Sequence, residues 1–152
     1  MEKEYHIFEV TEPKEEYAAA IRNLLPQLSS SQHIFTLDTL QRLTACEGTH
    51  LFLLQAEGSI VGMLTLCSAL SPTGCKMWIE DVVVDASQRG RSFGRTLVEH
   101  AIEYVRNNRP EATLMLTSRP SRVAANALYR SAGFTPKETN VYSMKISDRK
   151  SQ

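Results

Sequence analysis

The stretch from Val82 to Leu97, VVVDASQRGRSFGRTL, narrows the choice of fold more than any other. An apolar strand stops at Asp85. Arginines at 89, 91 and 95 and glycines at 90 and 94 follow at once, and the start of an amphipathic helix overlaps them. A strand that runs through a glycine turn into a helix aims several unpaired backbone N–H groups at one point, where the helix dipole adds partial positive charge. Arginines in that first turn oppose the dipole at about 0.3–1 kcal/mol each when exposed, and a bound polyanion reverses the sign. A lone arginine reads as solvated surface. Three on one glycine turn favour an anion site. The spacing fits neither GxxxxGK[ST] nor GxGxxG.

The rest of the chain supplies an α/β layer fold around this turn. Tyr5–Val10 alternates as a strand, and the residues after Pro13 read as a helix up to Pro26 with Ala18, Ile21, Leu24 and Leu25 on one face. A short helix over 36–46 points Leu37, Leu40 and Leu43 inward. Leu51–Gln55 and Ile60–Ser68 form a hairpin turning at Glu57-Gly58. Lys76–Val84 is a strand whose apolar end suggests cover on both faces. Phe93–Asn107 is a helix with a stripe of Leu97, Val98, Ala101, Ile102 and Val105. Then come a strand over Ala112–Thr117, a helix over Ser121–Gly133 with Gly133 as its C′ residue, and closing strands through Ile146. The expected architecture is a mixed, mostly antiparallel central sheet with helices on both faces. Residues 1–146 read as one domain and 147–152 as a disordered tail.

Composition limits the partners. With 17 basic and 17 acidic residues in 152, net charge argues for neither nucleic acid nor an acidic membrane surface. No apolar run approaches the roughly 20 residues of a membrane span, and the charged N-terminus lacks a signal-peptide pattern. Cys46, Cys67 and Cys75 form no CxxC and read as reduced, mostly buried thiols of a cytoplasmic protein. The four histidines are scattered, and no metal site is expected.

Two stretches carry a family resemblance. IEDVVVDASQRGRSFGRTL resembles motif A of the GNAT superfamily of N-acetyltransferases: Arg or Gln, two residues, Gly, one residue, then Gly or Ala, after a strand and opening a helix. Arg89 and Gly94 match its ends, and Ser92 stands at the middle glycine. NALYRSAGF, residues 126–134, resembles motif B, with its Leu-Tyr pair and a Gly-Phe four residues after the tyrosine. The element order is similar too, so the resemblance covers nearly the whole chain.

The resemblance implies acetyl-CoA as cosubstrate and an amine acceptor. Its pyrophosphate would lie on the backbone of Arg89, Gly90, Arg91, Ser92, Phe93, Gly94 and Arg95. Its pantetheine would bond the backbone of Val82 and Val84, where the family's strand bulges and splays from the next. Asn126 would hold a pantetheine amide, and Tyr129 would protonate the leaving thiolate. Ser92 is read as an N-cap serine whose hydroxyl caps a backbone N–H or meets a phosphate oxygen, with no need of positive φ. Glu80 and Asp81 resemble the acids of glucosamine-phosphate acetyltransferases: Glu80 is a candidate base, Asp81 an acceptor contact, and a water-relayed base is equally open. Simple alternation gives Glu80 the same parity as Val82 and Val84. Trp78 is read as lining either the acceptor site or the core, with the core favoured.

The reading is an acetyl-CoA-dependent N-acetyltransferase acting on a primary amine of a small molecule or protein, by direct attack in a ternary complex. A sugar-phosphate amine acetyltransferase and a non-catalytic acyl-CoA-binding regulatory module are the alternatives. A homodimer is left open.

Overall fold

The computed structural model describes residues 4–148. The chain forms two compact units, Met1–Arg119 and Pro120–Gln152.

The first unit holds a five-stranded sheet in the order β1-β2-β3-β4-β5: β1 (Tyr5–Glu9), β2 (Thr49–Ala56), β3 (Ser59–Ser71), β4 (Gly74–Val84) and β5 (Thr113–Met115). The first four strands are antiparallel, and β5 joins β4 in parallel. The β2–β3 turn is the expected Glu57-Gly58, with φ of 52° and 82°, the positive values a two-residue hairpin loop demands.

Helices α1 (Glu15–Leu28), α2 (Leu37–Thr44) and α3 (Phe93–Asn108) cover the two faces. On one face Ala18, Ile21 and Leu24 of α1 and Leu40 of α2 pack with Leu51, Leu53, Met63 and Val83. On the other, Phe52 meets the rings of His100 and Tyr104 of α3 at 5.0 and 5.1 Å. A Cβ built on Gly62 would stand 3.2 Å from Leu97 Cδ1, so glycine here sets how closely α3 approaches the sheet. This double cover explains why residues 51–54 of β2 and 61–66 of β3 are buried without a break.

Helix α2 starts on a reciprocal cap. Thr36 Oγ1 accepts from the Thr39 N–H at 3.3 Å, and Thr39 Oγ1 accepts from the Thr36 N–H at 3.4 Å. Helix α1 runs through Pro26 rather than stopping there. A proline in the last turn removes one helical hydrogen bond, and Gln27 beyond it is held by bonds outside the helix.

In the second unit α4 (Val123–Ser131) is the regular helix, followed by a 3-10 turn at Ile146–Asp148. The expected closing strands do not form over 135–145. Val141, Tyr142, Met144 and Ile146 are exposed, so their alternation does not mark a covered face. Of the expected tail, residues 149–152 lie outside the described residues.

Two smaller expectations also change. The cysteines are free, but Cys46 is exposed and Cys67 and Cys75 are half-buried. Trp78 is half-buried rather than in the core. No helix among the described residues is long and apolar enough to cross a membrane.

Candidate functional site

The site begins where β4 leaves its neighbour. Pairing of β4 with β5 ends at Trp78↔Met115, yet β4 continues to Val84. From Ile79 onward the β5-facing edge of β4 has no ladder partner among the described residues. The Asp85 N–H donates to Val61 O of β3 at 2.7 Å. Polar groups of successive strand residues point to alternate sides, so Val83 also faces β3, while the backbone groups of Val82 and Val84 face the open edge.

A bulge lies in the same place. Met63 opposes Val83, but Thr65 opposes Glu80, so two steps on β3 match three on β4. Asp81 is the extra residue, at φ 52°. The bulge overturns the simple parity. Thr65 and Glu80 share the α1/α2 face with Met63 and Val83, whereas Val82 and Val84, on either side of Val83, lie on the α3 face. Glu80 therefore does not share a face with these two valines. Its neighbours across the sheet are Thr65 and, further along, the Cys67–Trp78 pair. Glu80 is an exposed residue, but partial desolvation of its carboxyl and then the Asp81 charge push it above its ordinary value, and burial followed by the Glu80 charge pushes the half-buried Cys67 thiol up.

After Val84 the chain enters an anchored loop. Asp85 Oδ1 accepts from the Ser87 N–H at 2.9 Å and the Ser87 hydroxyl at 2.7 Å, closing an Asx turn. These bonds, with help from Gln27, hold the Asp85 carboxyl below the usual carboxylate range. The stability they confer is present above the unfolded pKa and fades as pH falls through the lower folded one.

Gly90 has φ 85° and Ser92 φ 62°, so two left-handed residues bend the chain just before α3. Such bends converge N–H groups into an anion-binding concavity, and a Cβ at Gly90 would meet nothing within 4 Å. Ser92 does stand at the N-cap, but its hydroxyl makes no cap bond. Instead its carbonyl accepts from the Thr96 N–H at 3.0 Å and the Thr96 hydroxyl at 2.9 Å. The backbone at 92 does take positive φ, contrary to the sequence expectation, which accounts for the glycine in the family's pattern. Ser92→Gly is expected to raise stability by about 1 kcal/mol by relieving the left-handed strain. The Kd for acetyl-CoA, the cosubstrate that the family resemblance implies, should stay within about twofold. A melting curve and a titration check this, and a tenfold weaker Kd would make the hydroxyl itself a ligand.

The arginines divide. Arg91 Nη1 donates to Gln88 Oε1 at 2.7 Å and Glu57 Oε1 at 3.2 Å, with its guanidinium 4.7 Å from the Phe93 ring centroid. Arg95 pairs with Glu99 at 3.2 Å, the i,i+4 spacing. Arg89 is exposed and makes no ion pair among the described residues. Of the three it is the least committed to the protein.

Asn126 and Tyr129 belong to the second unit, on α4. Arg122, expected within that helix, is its N-cap. The helix ends in a Schellman motif: the Phe134 N–H donates to Tyr129 O at 3.0 Å and the Gly133 N–H to Arg130 O at 3.1 Å, with Gly133 at φ 112°. Tyr129 is buried, 9% exposed, with its ring edge-on to Phe134 at 6.1 Å. The Tyr-x-x-x-Gly-Phe spacing is the sequence form of this motif. Sequence reasoning missed Gln27, Asn23 and Cys67 as parts of these surroundings. Asp85-Ala86-Ser87 carries an Asx-turn signal that could have been read.

The acetyltransferase (GNAT) family model matches residues 14–134. No curated protein matches the chain in sequence. Among solved structures, the chain is similar to an aminoglycoside acetyltransferase from an uncultured soil metagenomic sample in complex with trehalose (TM-score 0.81, 19% identity, covering 94% of this chain and 96% of that one). It is similar to glucosamine-6-phosphate N-acetyltransferase from Arabidopsis thaliana (TM-score 0.75, 19% identity, 92% and 97% covered). It also resembles an aminoglycoside N-acetyltransferase in complex with CoA (TM-score 0.74, 14% identity, 93% and 95% covered). At these identities the likeness is one of fold. With the family match spanning residues 14–134 on this mixed sheet, the chain belongs to the acetyltransferase (GNAT) family and is an N-acetyltransferase.

Proposed function

We propose that the chain binds acetyl-CoA along the open edge of β4 and the loop before α3, and transfers its acetyl group to a primary amine in a ternary complex. The carrying observation is the unpaired β4 edge, with the backbone groups of Val82 and Val84 facing outward, leading directly into the left-handed loop at the start of α3. The residues present suit the cosubstrate. Open space over Gly90 admits a phosphate, the first N–H groups of α3 have no intrahelical acceptor, and Arg89 brings an unspent positive charge. The backbone from Arg89 to Arg95 would hold the pyrophosphate, with the Arg91 and Arg95 side chains shaping the loop more than neutralising charge.

Bound acetyl-CoA supplies an activated thioester. Glu80, with its carboxyl shifted upward, takes a proton from the acceptor's ammonium, directly or through water, leaving the nitrogen lone pair to attack. Asp81 lies beside it as a contact for the amine and, through its charge, keeps Glu80 basic. As the carbon–nitrogen bond forms and the carbon–sulfur bond breaks, the Tyr129 hydroxyl gives its proton to the sulfur, and the second proton that the nitrogen sheds on becoming an amide passes through solvent to restore the Tyr129 hydroxyl. The role of Tyr129, and of Asn126 as a pantetheine contact, rests on the resemblance of residues 126–134 to motif B.

Calorimetry and thiol release test this reading. The amine panel includes glucosamine 6-phosphate and aminoglycosides, since folds like this one serve both. Arg89→Ala is expected to weaken acetyl-CoA about tenfold or more with the melting temperature unchanged. Unchanged affinity removes the pyrophosphate from this loop. Binding without turnover on any amine favours an acyl-CoA-binding module.

A further inference from the structure

The acetyl-CoA loop is fastened from outside itself, by a side chain 58 or more residues away in sequence. Gln27 Oε1 accepts from the Ala86 N–H at 2.8 Å. Gln27 Nε2 donates to Asp85 Oδ2 at 3.2 Å and to Asn23 O, one turn back on α1, at 3.3 Å. Asn23 Nδ2 reaches the same Asp85 oxygen at 3.5 Å. One primary amide thus satisfies a donor and an acceptor on consecutive residues at the point where β4 becomes the loop. Asp85 in turn holds Ser87 through its other oxygen, which sets the 3-10 turn at Ala86–Gln88 and the direction in which Arg89 and Gly90 leave. The positive field of Arg89 also acts on Asp85.

We propose that Gln27 is a positioning residue for cosubstrate binding: its amide clamps Asp85 and Ala86 and so fixes the anion loop in its receptive shape before acetyl-CoA arrives. The second half of this statement rests on the acetyl-CoA reading above; the first half does not. An amide suits the place for a chemical reason. It must donate to a carboxylate and accept from a peptide N–H at the same time, which neither a carboxylate nor an ammonium can do. The geometry also gives the continuation of α1 beyond Pro26 a purpose, since those two residues carry Gln27 to the loop.

The test has two arms. Hydrogen exchange on the protein without ligand compares wild type with Gln27→Ala. Faster exchange confined to residues 85–94 is expected, with the sheet amides unchanged. Equal exchange everywhere overturns the clamp, and so does a uniform increase across the first unit, which would make Gln27 a contributor to general stability. Calorimetry with acetyl-CoA forms the second arm. Gln27→Ala should weaken binding about tenfold and leave kcat at saturating cosubstrate nearly unchanged. Gln27→Glu should bind poorly at alkaline pH, where two carboxylates oppose each other, and recover on acidification as the pair shares a proton. Flat pH dependence of that variant relative to wild type overturns the clamp's role in binding. If wild type itself fails to bind acetyl-CoA, the cosubstrate reading falls, and the exchange arm still judges the clamp.

Discussion

Tyr129→Phe should lower kcat by about 10²–10⁴-fold, the range a general acid contributes, while the acetyl-CoA Kd and the melting temperature hardly move. The structure makes this a clean substitution. The backbone of Tyr129 is fixed by the Schellman bond from Phe134, and its ring by edge contact with the Phe134 ring. Phenylalanine keeps both and deletes only the hydroxyl. A proton needed only as the carbon–sulfur bond breaks stabilises the transition state and not the bound ground state, so the loss falls on kcat. Thiol release against an accepted amine measures it. A variant that is equally stable, binds equally well and turns over at the wild-type rate removes Tyr129 from the chemistry.

Glu80→Gln should lower kcat/KM by about 10²-fold or more near neutral pH and flatten the acidic limb of the pH–rate profile. In wild type that limb should lie above the ordinary glutamate range, because partial desolvation and Asp81 both push the carboxyl up. Stability should move the other way. The folded protein binds a proton at Glu80 more tightly than the unfolded chain does, so this group erodes stability as pH rises through its window. Glutamine removes that loss, and the variant should melt at or above the wild-type temperature at neutral pH. Lost activity without lost stability marks a group held for chemistry. If the pH–rate profile and the rate both survive, the base is elsewhere or a water relay suffices without Glu80.

How much of this could be read in advance follows from the range of each interaction. The strand-loop-helix at 82–97 was legible because its signals are local: glycine, arginine and an amphipathic stripe within one short stretch. The helix end at Gly133-Phe134 was legible for the same reason. Ser92 was misjudged because a serine at this place was taken to mean that the backbone need not adopt positive φ. Serine can occupy the left-handed region at a cost, and the sequence does not show that it does. The bulge at Asp81 depends on register against β3, which a strand's own sequence does not contain. The helix runs two residues past Pro26, and the Gln27 bonds join residues about sixty positions apart. The alternation at 141–146 was over-read, since alternation describes how a strand would face a partner and does not supply one.

The bulge has a consequence for how β4 can change over time. Leaving out Asp81 would set Val82 opposite Leu64 in unbroken register, with Glu80 still opposite Thr65 and Val83 still opposite Met63. Every apolar side chain of the strand would keep its face, so core packing is blind to this residue's presence. The strand's bend, the shape of its outer edge and the charge beside Glu80 would register the loss. Position 81 is therefore a place where chain length, as well as the charge that Asp81 sets beside Glu80, separates a sheet that merely folds from one with a bent and open edge.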